Sequence, residues 1–119
     1  MKISKLKISN DATSRLRTLQ GRTGLTPNIL LRIGLGLSLL DKSLIDPSKY
    51  PEDGKELNRY TITGEYDCGY VALIKEWMHQ NNESLDNKIV VDYFRAHLNR
   101  GAILLYIRVK SLTDLALLD

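Results

Sequence analysis

Residues 5–42, KLKISNDATSRLRTLQGRTGLTPNILLRIGLGLSLLDK, decide the fold. The stretch opens with alternation. Lys5 and Lys7 bracket Leu6, and Ile8 follows, which is the period of a strand with its lysines outward. Ser9 or Asn10 then offers a helix cap, and Asp11 stands where the helix dipole favours an acid. Ala12, Leu16 and Leu19 recur at helical spacing, while Arg15 and Arg22 share a different stripe. Gly21 and Gly24 mark the end of this helix. Thr26 suits the cap of a second helix and Pro27 its first position, where a missing N–H costs nothing. That helix can run to about Lys42. It is apolar nearly all round, from Ile29, Leu30, Leu31 and Ile33 to Leu35, Leu37, Leu39 and Leu40. Such a helix must be buried on most sides, and in a short chain a subunit interface is the expected partner. Gly34 and Gly36 each cost the helix about 1 kcal/mol. A close helix–helix approach would justify that cost, and simple tolerance would explain it equally.

A basic strand, an arginine-bearing helix and a second helix started by Thr-Pro resemble a ribbon-helix-helix module, in which paired strands enter a groove of DNA. Downstream, turn signals at Asp46-Pro47, Tyr50-Pro51 and Asp53-Gly54 predict a loop over 43–58. Tyr60-Thr61-Ile62-Thr63 is a short β-prone run. A helix is expected from Asp67 to about Gln80, with Val71, Ile74, Trp77 and Met78 on one side. Another is expected from Asn87 to Asn99, where Gly101 would break or bend it, with helical patterning resuming at Ile103, Leu104 and Ile107. Ser111 would cap a last helix carrying Leu112, Leu115 and Leu118. The expected class is therefore mainly α (α+β), a single helical domain over 1–119 with a short N-terminal strand, and oligomeric.

The chain has 119 residues, 43% of them hydrophobic and 26% charged, an ordinary globular balance. A domain this size buries only ~65% of its unfolded surface, so oligomerisation is a natural way to bury more. The net charge of +3 is unevenly spread. Residues 1–42 hold eight basic side chains, Lys2, Lys5, Lys7, Arg15, Arg17, Arg22, Arg32 and Lys42, against Asp11 and Asp41. A basic N-terminal third can attract a polyanion, or be no more than a solvated face. Cys68 stands alone, so no intrachain disulfide is possible and a reducing cytoplasm is expected. The N-terminus does not read as a signal peptide, and the apolar run 29–40 is too short to span a bilayer.

Few residues invite catalysis. Gly21-Arg22-Thr23-Gly24-Leu25-Thr26-Pro27 has no Gly-Lys-Ser/Thr and lies between helices, so it reads as a tight turn, not a phosphate loop. Cys68 lies near a helix start, but the neighbouring acids Glu65 and Asp67 disfavour a thiolate, and a structural cysteine is expected. His79 and His97 fall on different helices without a metal-binding spacing, so no metal and no cofactor are expected. Glu65 and Asp67 read as surface charge, and Trp77, Tyr93 and Phe94 as core.

Taken together these residues resemble the DndE family of the bacterial DNA phosphorothioate (sulfur) modification system. The resemblance rests on Ile8-Ser9 through Ala12, on Arg15-Leu16-Arg17 with Leu19, and above all on Gly21 to Asn28 with the leucine-rich helix that follows. It continues at Asn58 to Tyr66, Val71-Ala72-Leu73, His97-Leu98-Asn99-Arg100-Gly101 and Val109 to Leu115. What it implies is a homotetramer that binds double-stranded DNA with a preference for nicks. Its partners would be a cysteine desulfurase, an ATP-using sulfur-transfer enzyme and an ATPase-like protein. On this reading the subunit has no catalytic residues, and Lys5, Lys7, Arg15, Arg17 and Arg22 contact phosphate. Gly21, Gly24, Ile29, Ile33 and Leu37 are the expected subunit contacts. The competing readings are a ribbon-helix-helix transcription regulator, an enzyme that nicks DNA or transfers sulfur through Cys68 or Asp67, and a structural adaptor without DNA affinity.

Overall fold

The structure is a computed structural model and describes residues 3–115, so Lys2 and Leu118 lie outside the described residues. Strand β1 (Lys5–Lys7) leads into α1 (Asn10–Thr23), and α2 (Pro27–Leu40) follows after a bend of 110°. Both helix starts are capped as the residue types dictate. Ser9 Oγ accepts the N–H of Ala12, and Thr26 Oγ1 accepts that of Ile29. Gly24 ends α1 at φ +73°, a left-handed position that a side chain would strain, and its N–H returns to Gln20 O. Gly21 stays inside the helix.

The strand–helix–helix order is as expected, but the partner of β1 comes from within the chain. Strand β2 (Glu56–Asn58) pairs with it antiparallel, setting Leu6 opposite Leu57, Lys5 opposite Asn58 and Lys7 opposite Glu56. The segment 43–58, read as loop, therefore holds a strand, preceded by a short 3₁₀ turn at Pro47–Lys49. Gly54 explains the close fit: a Cβ there would stand 2.4 Å from both Ser9 O and Thr13 Oγ1. Tyr60 to Thr63, expected to be extended, is instead helical as α3 (Arg59–Thr63). Local hydrogen bonds override β propensity here. Asn58 Oδ1 accepts the Tyr60 N–H, Thr61 Oγ1 donates to Asn58 O, and Thr63 Oγ1 lies 3.0 Å from Arg59 O.

A 3₁₀ turn (Gly64–Tyr66) joins α3 to α4 (Asp67–Gln80), and α5 (Asn87–Arg108) precedes a single turn, α6 (Leu112–Leu115). Gly101 does not break α5, which runs on to Arg108. Its lack of a side chain serves packing. A Cβ on Gly101 would meet Gly34 C and O at 2.3 Å, so α2 and α5 cross backbone to backbone. Gly36 has no such neighbour, with nothing within 4 Å of its Cβ position. The inward stripe of α2, Leu30, Leu31, Gly34, Leu35 and Ser38, is thus buried by the chain's own α5 and not by a second subunit. Trp77, Tyr93 and Phe94 join the core as expected.

Helix α5 also carries a buried polar row. Arg100 donates through Nε to Ser38 Oγ, and through its terminal nitrogens to the carbonyls of Ser38, Asp41 and Ser43. Arg95 reaches the carbonyls of Tyr50 and Pro47. Asn99 Oδ1 accepts the Ser9 N–H at 2.8 Å. These bonds satisfy the loop carbonyls that follow α2 and fasten the N-terminal strand–helix junction to the core. His97 is fully buried between Ser38 Oγ, at 2.8 Å, and the Trp77 ring. Burial, with the nearby Arg100 charge, pushes its pKa down to about 3.

Candidate nucleic-acid interface

The five basic residues singled out in the sequence fall on three parts of the surface. Lys5 and Lys7 project outward from β1 on either side of Leu6, which is buried, and both are exposed. The opposing strand adds Glu56 across from Lys7, so this strand face is less basic than the sequence of β1 alone suggests. Arg17 is exposed on α1. It lines a small cavity with Thr13, Leu16, Gln20, Pro27 and Lys55. Lys55 was hidden in the predicted loop. The one available signal was the Asp53-Gly54 turn before it, which the structure uses to lay Lys55 over α1, with its N–H on Thr13 Oγ1 at 3.0 Å.

Arg15 and Arg22 lie elsewhere. They stack on one ring, Tyr106 of α5, with guanidinium carbons 4.7 Å and 4.8 Å from its centroid. The Lys110 ammonium lies 5.8 Å from the same centroid. Arg15 also holds Asp11 one turn earlier, at 3.1 Å. Sequence reasoning missed Tyr106 and Lys110, because nothing in local spacing links the end of α5 to α1. Arg32, counted among the basic residues, donates to the carbonyls of Ile62 and Thr61 and so caps the end of α3.

Of the residues weighed for catalysis, Asp67 is engaged structurally. Arg59, itself buried, grips both its carboxylate oxygens, and Thr63 Oγ1 donates to it at 2.7 Å. The Arg59 hydrogen bond holds the Asp67 carboxyl below the usual carboxylate range. Arg59 also donates to Ile3 O, so the pair anchors the chain segment before β1. Cys68, expected to be structural, is exposed at the start of α4. The buried stripe of α4 begins only at Ile74, and Cys68 and Gly69 in its first turn are exposed.

The expected subunit contacts are distributed in the same mixed way. Gly21 and Gly24 are exposed on this chain, Ile29 is 39% exposed, and Ile33 and Leu37 are half-buried against the core. An apolar groove of about 350 Å³ opens between α2 and α4, lined by residues including Leu39, Leu40, Tyr70, Leu73 and Trp77. Among the described residues no single helix is long and apolar enough to cross a membrane.

Comparison with known proteins gives one consistent result. The family described as DNA sulphur modification protein DndE matches residues 5–112. The crystal structure of DndE from Escherichia coli B7A, involved in DNA phosphorothioation modification, is similar with a TM-score of 0.72 and 26% identity, over 88% of this chain and 98% of that one. A crystal structure of a DndE mutant superposes with a TM-score of 0.69 at 23% identity, over 88% and 99% of the two chains, and supports the shared fold. A search of curated proteins gave no match. With nearly its whole length matched by the family model and its fold shared with a DndE crystal structure, the chain belongs to the DndE family of DNA sulphur modification proteins.

Proposed function

We propose that this protein is a non-catalytic, DNA-binding subunit of the DNA phosphorothioate modification system. It holds double-stranded DNA, nicked in preference to intact, while the enzymes of the system replace a backbone oxygen with sulfur. The observation that carries this reading is a family member with exposed lysines on β1 and an exposed arginine on α1 beside Lys55. Lysine and arginine contacts to phosphate position a protein on DNA without reading its sequence. A nick adds local flexibility, which would let the backbone follow a rigid basic surface. The homotetrameric state and the cytoplasmic setting belong to the same proposal. The exposed apolar side chains Leu40 and Leu73 beside the α2–α4 groove are compatible with a further subunit.

Two observations weigh against the competing readings. A ribbon-helix-helix regulator needs its strand for a second copy, and β1 already gives one edge to β2. A nicking or sulfur-transfer enzyme would need Asp67 or Cys68 for chemistry, and Asp67 is held in a two-oxygen ion pair.

Binding of the purified protein to one duplex, intact and singly nicked, across a salt series tests the proposal. Lys5→Ala/Lys7→Ala and Arg17→Ala variants run beside the wild type. The expected result is salt-dependent binding that favours the nick. In each variant the slope should be shallower by about 0.9 for every phosphate that is no longer neutralised. A wild type that ignores both duplexes at low salt overturns direct DNA binding and leaves the adaptor reading in its place.

A further inference from the structure

Helix α1 has two basic sides, and they face different parts of the molecule. Its core stripe is Ala12, Leu16, Leu19 and Thr23. Asp11, Ser14, Arg15, Thr18 and Arg22 recur at steps of three and four, which places them on one other stripe. Arg17 stands about 160° around the helix from Arg15 on a 3.6-residue period. The strand lysines with Arg17, and the Arg15–Arg22 stripe, are therefore separate surfaces.

The second surface is pre-assembled. Arg15, Arg22 and Lys110 gather about Tyr106 at 4.7, 4.8 and 5.8 Å from the ring centroid. The negative face of the ring offsets part of their mutual repulsion and orders the long side chains. Arg22 is tied further by a bond to Val109 O at 3.4 Å. Asp11 engages Arg15 through its single Nε–H, at 3.1 and 3.2 Å, which leaves the four N–H groups of the terminal nitrogens outside that ion pair. Beside them an open cavity of about 240 Å³ is lined by Asp11, Ser14, Arg15, Thr18 and Tyr106. Asp114 accepts the backbone N–H groups of Lys110 and Ser111. The Thr18 hydroxyl is given to Ser14 O at 3.2 Å, and the ordered guanidiniums beside the Ser14 hydroxyl are a donor set that phosphate oxygens take.

We infer that the Arg15–Arg22–Lys110 cluster on Tyr106 is a second phosphate-binding surface, which takes a run of nucleic-acid backbone separate from the one at β1 and Arg17. This rests on the DNA-binding reading above and adds that one subunit touches two backbone segments. Asp11 is the like charge that weakens the site, so removing it strengthens binding.

The test uses the full-length protein with ¹⁵N label. A short duplex is titrated in while the arginine Nε–Hε resonances are followed, those of Arg15 and Arg22 being assigned from Arg15→Lys and Arg22→Lys variants. Both resonances are expected to shift with duplex. In the salt series, Arg15→Gln/Arg22→Gln is expected to lower the slope by about 1.8, on top of the reduction from Lys5→Ala/Lys7→Ala. Asp11→Asn is expected to tighten binding several-fold. Tyr106→Leu, which changes no charge, is expected to weaken it about two- to five-fold. If the Arg15 and Arg22 resonances stay still and their double variant keeps the wild-type slope while the lysine variant loses its share, the second surface is refuted and the DNA-binding proposal survives. Shifts produced only by a polyglutamate peptide overturn it in favour of a protein-docking face. If the wild type binds no duplex, inorganic tripolyphosphate decides: movement of both resonances supports the phosphate site, and none refutes it.

Discussion

Placing a methyl group on Gly101 tests the most demanding contact in the fold. A Cβ there would stand 2.3 Å from Gly34 C and O and 2.9 Å from Leu35 N. The reverse substitution, at Gly34, meets Gly101 C and O at 2.8 Å and Ala102 N at 3.2 Å. Every one of these atoms is backbone, so no side chain can swing aside and the two helices must part. Overpacking of this kind costs about 3 kcal/mol at the upper end of its range, and alanine returns about 1 kcal/mol of helix propensity. Gly101→Ala should therefore lose about 2 kcal/mol. Gly36→Ala is the internal control. It changes α2, the helix that carries Gly34, at a position where nothing lies within 4 Å, and should gain up to about 1 kcal/mol. Urea denaturation followed by far-ultraviolet circular dichroism, at one protein concentration, measures both against wild type. The midpoints should move in opposite directions, separated by about 3 kcal/mol. A Gly101→Ala protein as stable as wild type, or two variants that shift alike, would refute the backbone-to-backbone crossing.

Three further outcomes follow from the buried polar groups and from Cys68. His97 takes its proton at about 3 when folded, against an ordinary value of 6.5, so acid favours the unfolded chain. Stability should fall as pH drops from about 6.5 toward 4, by up to about 1.4 kcal/mol per unit, and His97→Gln should flatten that slope; an unchanged slope assigns the effect elsewhere. Asp67→Asn should cost about 3 kcal/mol, because it leaves the buried Arg59 without its carboxylate. That loss should appear in thermal unfolding, whereas a variant of native stability that had lost only a chemical activity would revive the enzyme reading. Cys68→Ser, at an exposed position, should change unfolding stability by less than about 0.5 kcal/mol and leave DNA binding intact.

Periodicity and capping chemistry made the helices legible. Ser9, Gly24, Thr26 and Pro27 set the ends of α1 and α2, and their signals are local. What escaped depended on partners far along the chain. Nothing near Glu56–Asn58 announces a strand, because its reason to extend is the hydrogen-bonding edge of Lys5–Lys7. Tyr60 to Thr63 has strand-forming side chains, yet Asn58, Thr61 and Thr63 turn their own polar atoms onto the backbone and close a helical turn. Gly101 resembles a helix breaker until Gly34 is placed against it. The basic residues were visible one by one, but their division was not. Arg15 and Arg17 sit two residues apart in sequence and face different surfaces, and Lys55, Tyr106 and Lys110 join them only in three dimensions.

The buried row on α5 has a consequence for how the chain is made. A ribosome delivers the strand, α1 and α2 first, and the residues that hold them come last. Asn99 receives the Ser9 N–H, Arg100 closes the end of α2, and Gly101 sets the spacing that α2 packs against. Until residues 95–101 have emerged, Leu30, Leu31 and Leu35 lack α5, the largest packing partner of their helix, and the carbonyls of Ser38, Ser43 and Tyr50 lack the arginines that bind them. The N-terminal half thus relies on α5 for most of the surface that covers α2. It completes only after synthesis of α5, and an apolar helix remains open to chaperones or to neighbouring nascent chains in the meantime.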